Sequence, residues 1–229
     1  MAPAYHHLIV KYSRKHWDLL KKLREEAVKV MRLLVLHGFN CILYGSVARG
    51  DVSSTSDIDI AIPYLINPLE LEVLLETFGI IAREIIMATP KTAIKGVITL
   101  KSNVIIEFPL SKFSKVEEEF FRFAGCMSLN EAEDYKKRVC GVDKRLCFIK
   151  PTDFGHEEWS IIGREHEVAR LLNISIATVR DRVEALTKRD KVGRTGIFWR
   201  RLLNPDEDWF KVLEEESARN PAIRRLLQS

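Results

Sequence analysis

The sequence is poor in several features that mark particular classes of protein. Glutamine occurs once, at Gln228, while lysine, arginine and glutamate are abundant, a balance that favours a heat-adapted source. No apolar run approaches the ~20 residues that span a bilayer, so we expect no membrane contact. The N-terminus lacks the apolar stretch and cleavage site of a secretory signal, which predicts a cytoplasmic protein. The four cysteines show no paired spacing, which argues against a zinc site or a disulfide framework.

Charge is small in total but uneven along the chain. The 229 residues carry a formal net charge of +4, which is too little to indicate nucleic-acid binding by itself. Residues 164–201, however, contain ten Lys/Arg against five Asp/Glu, a net +5, and an acidic stretch follows at 206–216. This localised basic segment indicates an anionic partner.

Hydrophobic periodicity predicts an α+β fold. Apolar residues recur at helical spacing over residues 15–37, and Gly38 is suited to end that helix. A second helix is expected at 68–78. Strands are expected at 41–44, 57–62, 80–87, 97–100 and 104–108. Helix, strand, strand, helix and then several strands is an order typical of an α+β domain.

The chain divides by composition into four segments. We expect an α+β domain at 1–112, a helical connector at 113–150, a small helical domain at 151–203 and a helical tail at 204–229. Proline, aspartate and glycine make 150–155 a predicted linker. The tail alternates apolar and charged residues, which predicts that it packs on the rest of the chain.

Two acids and a Gly-Ser pair carry the chemical argument. Asp57 and Asp59 lie two apart on a predicted strand, so both carboxylates project from one face. Like charges so close repel each other unless divalent cations neutralise them, and oxygen ligands of this kind suit Mg²⁺, with Mn²⁺ as the alternative. Gly45 allows a sharp turn and close approach of a phosphate, while Ser46 can donate its hydroxyl to it. Arg49 would add a positive charge to this nucleotide-binding group, unless it is an ordinary surface arginine.

Gly45-Ser46, ten intervening residues and Asp57-x-Asp59 together resemble the signature of polymerase-beta-like nucleotidyltransferases. The form GSVARG followed by SDID is similar to the minimal nucleotidyltransferases common in archaea and bacteria. The resemblance implies a mixed sheet with flanking helices, and transfer of a nucleoside monophosphate from an NTP, with ATP favoured, to a hydroxyl. It implies a two-metal mechanism in which Asp57 and Asp59 bind magnesium.

The same resemblance implies a third carboxylate on a later strand, which binds metal and deprotonates the attacking hydroxyl. Glu107 is the best candidate, because an acid inside an apolar strand otherwise needs a partner. The family residue is usually Asp, and an edge-strand or salt-bridged glutamate is the alternative. Lys91 and Lys95 lie in a polar loop, where we expect solvation, with phosphate contact as the alternative.

Residues 165–189 predict two helices joined by a short turn, with Ser175 as the cap of the second helix. The following residues 191–199 resemble the wing of winged-helix domains, in which the second helix enters the major groove. The predicted nucleic-acid contacts are Thr178, Arg180, Arg182, Lys188 and Arg194. Homodimer formation or packing on the catalytic domain are the alternatives for this module.

The leading hypothesis is a magnesium-dependent nucleotidyltransferase with a nucleic-acid-binding winged helix. Its acceptor is RNA, DNA, a small molecule or a protein, because minimal relatives include antitoxins that transfer AMP to a toxin. The alternatives are a DNA-binding regulator that senses nucleotide with weak or no catalysis, favoured by Glu107 in place of Asp, and a scaffold subunit, favoured by the apolar tail.

Overall fold

The computed structural model describes residues 7–192 and 196–228 and arranges them around two β-sheets. The strands are β1 (Leu8–Lys11), β2 (Ile42–Tyr44), β3 (Ile58–Ala61), β4 (Ile80–Met87), β5 (Lys95–Leu100), β6 (Val104–Pro109), β7 (Cys126–Ser128), β8 (Gly141–Val142), β9 (Cys147–Thr152), β10 (Gly155–Ser160) and β11 (Trp199–Leu202). The helices are α1 (Arg14–Leu36), α2 (Ser46–Arg49), α3 (Pro68–Leu75), α4 (Lys115–Ala124), α5 (Leu129–Glu133), α6 (Glu165–Leu171), α7 (Ile176–Val192), α8 (Trp209–Arg219) and α9 (Pro221–Leu227). None of the helices in these two ranges has the length and apolar character that a bilayer crossing requires.

The larger sheet has seven strands in the order β11-β4-β5-β6-β3-β2-β7. Only the β3–β6 pair is parallel among the described strands, so the sheet is mixed and the expected α+β fold is confirmed. Ile58 and Ile60 of β3 are fully buried in the same apolar core as Ala27 and Met31 of α1. The alternation of acids with isoleucines therefore directs one face of β3 into the core and its acids away from it.

The smaller sheet, β1-β10-β9-β8, differs from the sequence-based expectation. Residues 150–155, predicted as a linker, form a hairpin in which Thr152 pairs with Gly155 across a two-residue turn. The expectation of a helical connector at 113–150 is also wrong, because strands β7, β8 and part of β9 accompany α4 and α5 in that segment. Short strands whose partners lie elsewhere in the chain carry little local signal.

The predicted wing at 191–199 stays a prediction, because residues 193–195 lie outside the described part of the chain. Within the described residues, β11 does not form a hairpin with a neighbouring strand but adds to the edge of the larger sheet, antiparallel to β4. The tail then packs against the same core as expected, with Trp209 and Ile223 fully buried. Gly96 of β5 makes room for this contact, since a Cβ there would lie 2.3 Å from the Phe108 ring and 3.0 Å from Trp209.

The predicted helix-turn-helix pair is present as α6 and α7, packed against α4. The Ser175 hydroxyl accepts the N–H of Thr178, which confirms it as the cap of α7. The carboxylate of Glu119, on α4, in turn accepts the Ser175 N–H at 2.8 Å, the Ser175 hydroxyl at 2.6 Å and the Thr178 hydroxyl at 2.6 Å. Glu119 therefore ties the start of α7 to the domain that carries the acidic strand.

Candidate active site

The turn after β2 is shaped by Gly45. Its φ of 78° lies in the left-handed region, and a Cβ there would stand 3.0 Å from an Oδ atom of Asp59. Its N–H donates to the Gly125 carbonyl at 3.0 Å. Ser46 begins α2, where its hydroxyl donates to the Ser56 hydroxyl at 3.4 Å. The structure thus places Gly45 and Ser46 directly beside the Asp59 carboxylate.

The three predicted carboxylates come from two adjacent parallel strands. Asp59 lies within β3, Asp57 immediately precedes that strand, and Glu107 lies on β6. The register pairs Ala61 with Glu107, and residues two apart on a strand share a face, so Asp59 and Glu107 project from the same side. Asp57 is exposed, Asp59 is half-buried and Glu107 is buried.

Negative charges are crowded together on this face of the sheet. Burial, then the charge of Glu107 and then that of Asp57, raises the pKa of Asp59 to about 6. The positive charges of Lys144 and Arg49 act in the opposite direction. Crowded carboxylates favour nearby positive charge, and Lys95 supplies part of it through its ion pair with Glu107.

Tyr44, the last residue of β2, borders the same group. Burial raises the pKa of its phenol well above the usual value, and the negative charges of Glu107 and Asp59, with a side-chain hydrogen bond to Glu107, raise it further. Tyr44 therefore stays protonated at neutral pH. It contacts Phe120 and Phe121 of α4 edge-on, with ring centroids 6.2 and 5.3 Å away.

Glu107 has one paired and one unpaired oxygen. Its Oε2 accepts a hydrogen bond from the Lys95 ammonium at 2.7 Å. Its Oε1 is buried without a hydrogen-bond partner in the described part of the chain, a condition that costs about 1–3 kcal/mol. A hard divalent cation shared with Asp57 and Asp59 would satisfy that oxygen. Carboxylate oxygens are the donors that Mg²⁺ or Mn²⁺ prefers, but in the described residues the oxygens of Asp57, Asp59 and Glu107 do not all lie within 4.8 Å of one another.

A different group of potential ligands lies in the smaller sheet. Across residues 7–192 and 196–228, the ligand atoms of Asp143, Cys147 and Glu158 alone come within 4.8 Å of one another. Arg145 already bridges this group, bonding Asp143 at 2.6 Å and Glu158 at 2.5 Å. Burial and the charge of Asp143 raise the pKa of the Cys147 thiol, which disfavours the thiolate that a metal would bind. We therefore interpret this group as a structural ion-pair network.

Arg49 is not where the sequence suggested. It is buried, and its Nε and Nη2 atoms donate to the two carboxylate oxygens of Asp51 at 2.9 Å each. Its Nη1 donates to the carbonyls of Ala124 at 2.6 Å and Val142 at 3.4 Å. The prediction that Arg49 binds nucleotide is corrected, because all three guanidinium nitrogens bond protein atoms. It is no surface arginine either, since it joins α2 to α4 and β8.

A cavity of about 570 Å³ opens beside Glu107, between the larger sheet and α7. Its apolar wall is formed by three phenylalanines, Phe113, Phe120 and Phe121, and its polar wall includes Lys91 and Lys95. Helix α7 closes the far side with Asp181, Arg182 and Ala185. The volume is that of a small-molecule pocket.

The residues predicted to contact nucleic acid differ in their burial and in their partners. Thr178 is fully buried and bonded to Glu119, so the prediction for this residue is wrong. The Arg182 guanidinium lies 4.9 Å from the centre of the Phe120 ring and borders the cavity.

The other predicted nucleic-acid contacts are Arg180, Lys188 and Arg194. Arg180 and Lys188 are exposed on α7, where contact with an anionic partner stays a prediction. Arg194 lies outside the described residues.

Two residues of the site escaped the sequence analysis. Lys95, expected to be solvated, is paired with Glu107 at 2.7 Å. Lys144 lies between β8 and β9, and its charge reaches Asp59. The contact of Lys95 with Glu107 could have been predicted from the pairing of β5 with β6, whereas no local sequence pattern indicates Lys144.

Comparison with known proteins agrees with this geometry. Residues 19–121 match the family model described as the nucleotidyltransferase domain. The matched range contains Gly45, Ser46, Asp57, Asp59 and Glu107. No match was found among curated proteins or among solved structures. The family match supports a nucleotidyltransferase domain over residues 19–121 of the 229-residue chain.

Proposed function

We propose that this protein transfers a nucleoside monophosphate from an NTP, with ATP favoured, to an acceptor hydroxyl in a magnesium-dependent reaction. The observation that carries the proposal is the position of Asp59 and Glu107 on one face of adjacent strands, with Asp59 against the Gly45-Ser46 turn and one Glu107 oxygen buried and unbonded.

Asp57, Asp59 and Glu107 would hold the divalent ions. The chemistry supplied by two bound Mg²⁺ ions is charge stabilisation of the attacking and leaving oxygens in an in-line displacement. Ser46 would donate its hydroxyl to a phosphate oxygen, and the absence of a side chain at Gly45 lets the turn lie directly against the Asp59 carboxylate.

In the transfer step, the acceptor oxygen bonds to the α-phosphorus while the bond from that phosphorus to the bridging oxygen breaks. Pyrophosphate carries away the electron pair of the broken bond. The acceptor proton passes to Oε1 of Glu107, the oxygen without a partner in the described residues. Lys95 holds Oε2 of the same carboxylate and so fixes its orientation.

The acceptor would enter through the cavity beside Glu107. Strand β3 separates β2, which ends at Gly45, from β6, which carries Glu107. With the triphosphate tail over Gly45-Ser46, an in-line attack comes from the opposite side, toward Glu107. A cavity of about 570 Å³ closed by α7 admits a small molecule or one terminal group of a polymer.

The proposal is tested by incubating the protein with Mg²⁺ and each α-labelled NTP, alone, with total RNA and with cell lysate, and then separating the products. We expect label on an acceptor, with ATP the preferred donor. Glu107→Gln should lower the rate by about 10²–10⁴-fold, because the proton acceptor is lost. Glu76→Gln, at an exposed position, is the matched control. NTP binding without any transfer would favour the nucleotide-sensing regulator instead.

A further inference from the structure

Strand β8 lies directly against the glycine turn of the site. A Cβ on Gly141 would stand 2.6 Å from the backbone N of Gly125, so the two backbones touch. Gly125 in turn accepts the N–H of Gly45 at 3.0 Å. Arg49, rooted in α2, donates to the Val142 carbonyl and holds the end of β8 in place. Strand β8 is therefore fixed beside Gly125, the residue that accepts the Gly45 N–H, and the turn that carries Lys144 begins directly at its end.

That turn is tightly constrained. The carboxylate of Asp143 accepts the N–H groups of Arg145 and Cys147 at 2.9 Å each. Arg145 also bonds Asp143 and Glu158 through its guanidinium. Leu146 adopts a φ of 62°, a region that side chains rarely occupy and that the surrounding bonds must stabilise.

Lys144 lies in this turn between Asp143 and Arg145, whose charged groups pair with each other. Its side chain is exposed, and no hydrogen bond or ion pair of Lys144 is found in residues 7–192 or 196–228. Its charge nevertheless acts on Asp59. The other cations near the acids are engaged, Arg49 with Asp51 and Lys95 with Glu107.

We propose that Lys144 binds the triphosphate of the NTP substrate beside the Gly45-Ser46 turn. The inference rests on the proposed function and identifies the side chain that supplies the positive charge expected of Arg49. A triphosphate is strongly anionic, and a lysine on a rigid turn contributes a point charge without an ordering cost for the backbone.

The test is magnesium-dependent binding of α,β-methylene-ATP, AMP and adenosine, measured by isothermal titration calorimetry on the full chain. Lys144→Gln should raise the Kd for the triphosphate analogue by about 10–100-fold, the equivalent of one lost charge-assisted hydrogen bond. The Kd for adenosine should change less than about 2-fold, since adenosine has no phosphate. Lys144→Arg should restore most of the affinity.

Lys150→Gln is the matched control, because Lys150 is an exposed lysine on the neighbouring strand that pairs with Glu157 instead. The assignment of Lys144 to the triphosphate would be overturned by an equal loss of adenosine and triphosphate affinity in Lys144→Gln, or by an unchanged Kd for the analogue. In either case, triphosphate binding by the wild-type protein would still uphold the proposed function. Absence of triphosphate binding by the wild-type protein would overturn both.

Discussion

Replacing Glu119 by glutamine should weaken the junction between α4 and α7. Three hydrogen bonds from Ser175 and Thr178 end on one carboxylate oxygen, and Lys115 lies 3.9 Å from the other. Bonds to a charged group contribute about 1.5–3 kcal/mol each, against about 0.5–1.5 for neutral ones. Loss of the charge at three bonds should therefore lower the free energy of unfolding by about 2–4 kcal/mol.

The same contact predicts a pH dependence of stability. Burial alone would raise the pKa of Glu119, but the hydrogen bonds from Ser175 and Thr178 outweigh it and lower the pKa to about 2. Because the folded pKa lies below the unfolded value of about 4.3, the contribution is complete above that value. It is lost as the pH falls from there toward 2.

Urea unfolding of wild type and Glu119→Gln between pH 3 and 7, followed by circular dichroism, measures both effects. Glu118→Gln is the matched control, since Glu118 is the exposed neighbour on the same helix. A double-mutant cycle with Thr178→Val should show strong coupling, because the two side chains share one bond. An equal loss in Glu118→Gln, or a Glu119→Gln effect that is constant from pH 3 to 7, would refute this reasoning.

Three further substitutions test the packing that supports the site. Trp209→Ala should lower the free energy of urea unfolding by about 3–5 kcal/mol, because Trp209 is fully buried. Phe210→Ala, at a half-exposed position, should change it by less than about 0.5 kcal/mol. Equal effects of the two substitutions would contradict the burial of the tail. Arg49→Met should lower the free energy of unfolding by about 3–5 kcal/mol, because it leaves Asp51 unpaired. A variant with wild-type stability but weaker NTP binding would restore the nucleotide-binding role of Arg49. Gly96→Ala should cost about 1–3 kcal/mol through overpacking against two rings, and unchanged thermal unfolding would contradict that close contact.

Local patterns account for the parts of the fold that sequence analysis predicted well. The strands β2 to β6 are built from contiguous apolar or alternating segments, and α1 has a regular apolar face, so their positions follow from periodicity. The turn at 152–155 was misread because proline, aspartate and glycine occur in linkers and in hairpin turns alike. Strand β11 was not predicted, because its partner, β4, is distant in sequence and nothing near Trp199 specifies that pairing.

The candidate site shows the same division. Gly45, Ser46, Asp57 and Asp59 lie close together in the sequence at a recognisable spacing, so the sequence alone could predict them as site residues. The roles of Arg49 and Lys144 depend on how the smaller sheet packs against the glycine turn, which is a tertiary contact. Sequence spacing cannot report such a contact.

The central claim is that Asp57 and Asp59 support magnesium-dependent nucleotidyl transfer. The most direct measurement compares wild type with the Asp57→Ala, Asp59→Ala double variant in transfer of α-labelled ATP with Mg²⁺ and with EDTA. We predict transfer only by wild type with Mg²⁺, and a double variant that stays folded because clustered like charges have been removed. Full transfer by the folded double variant would contradict the account.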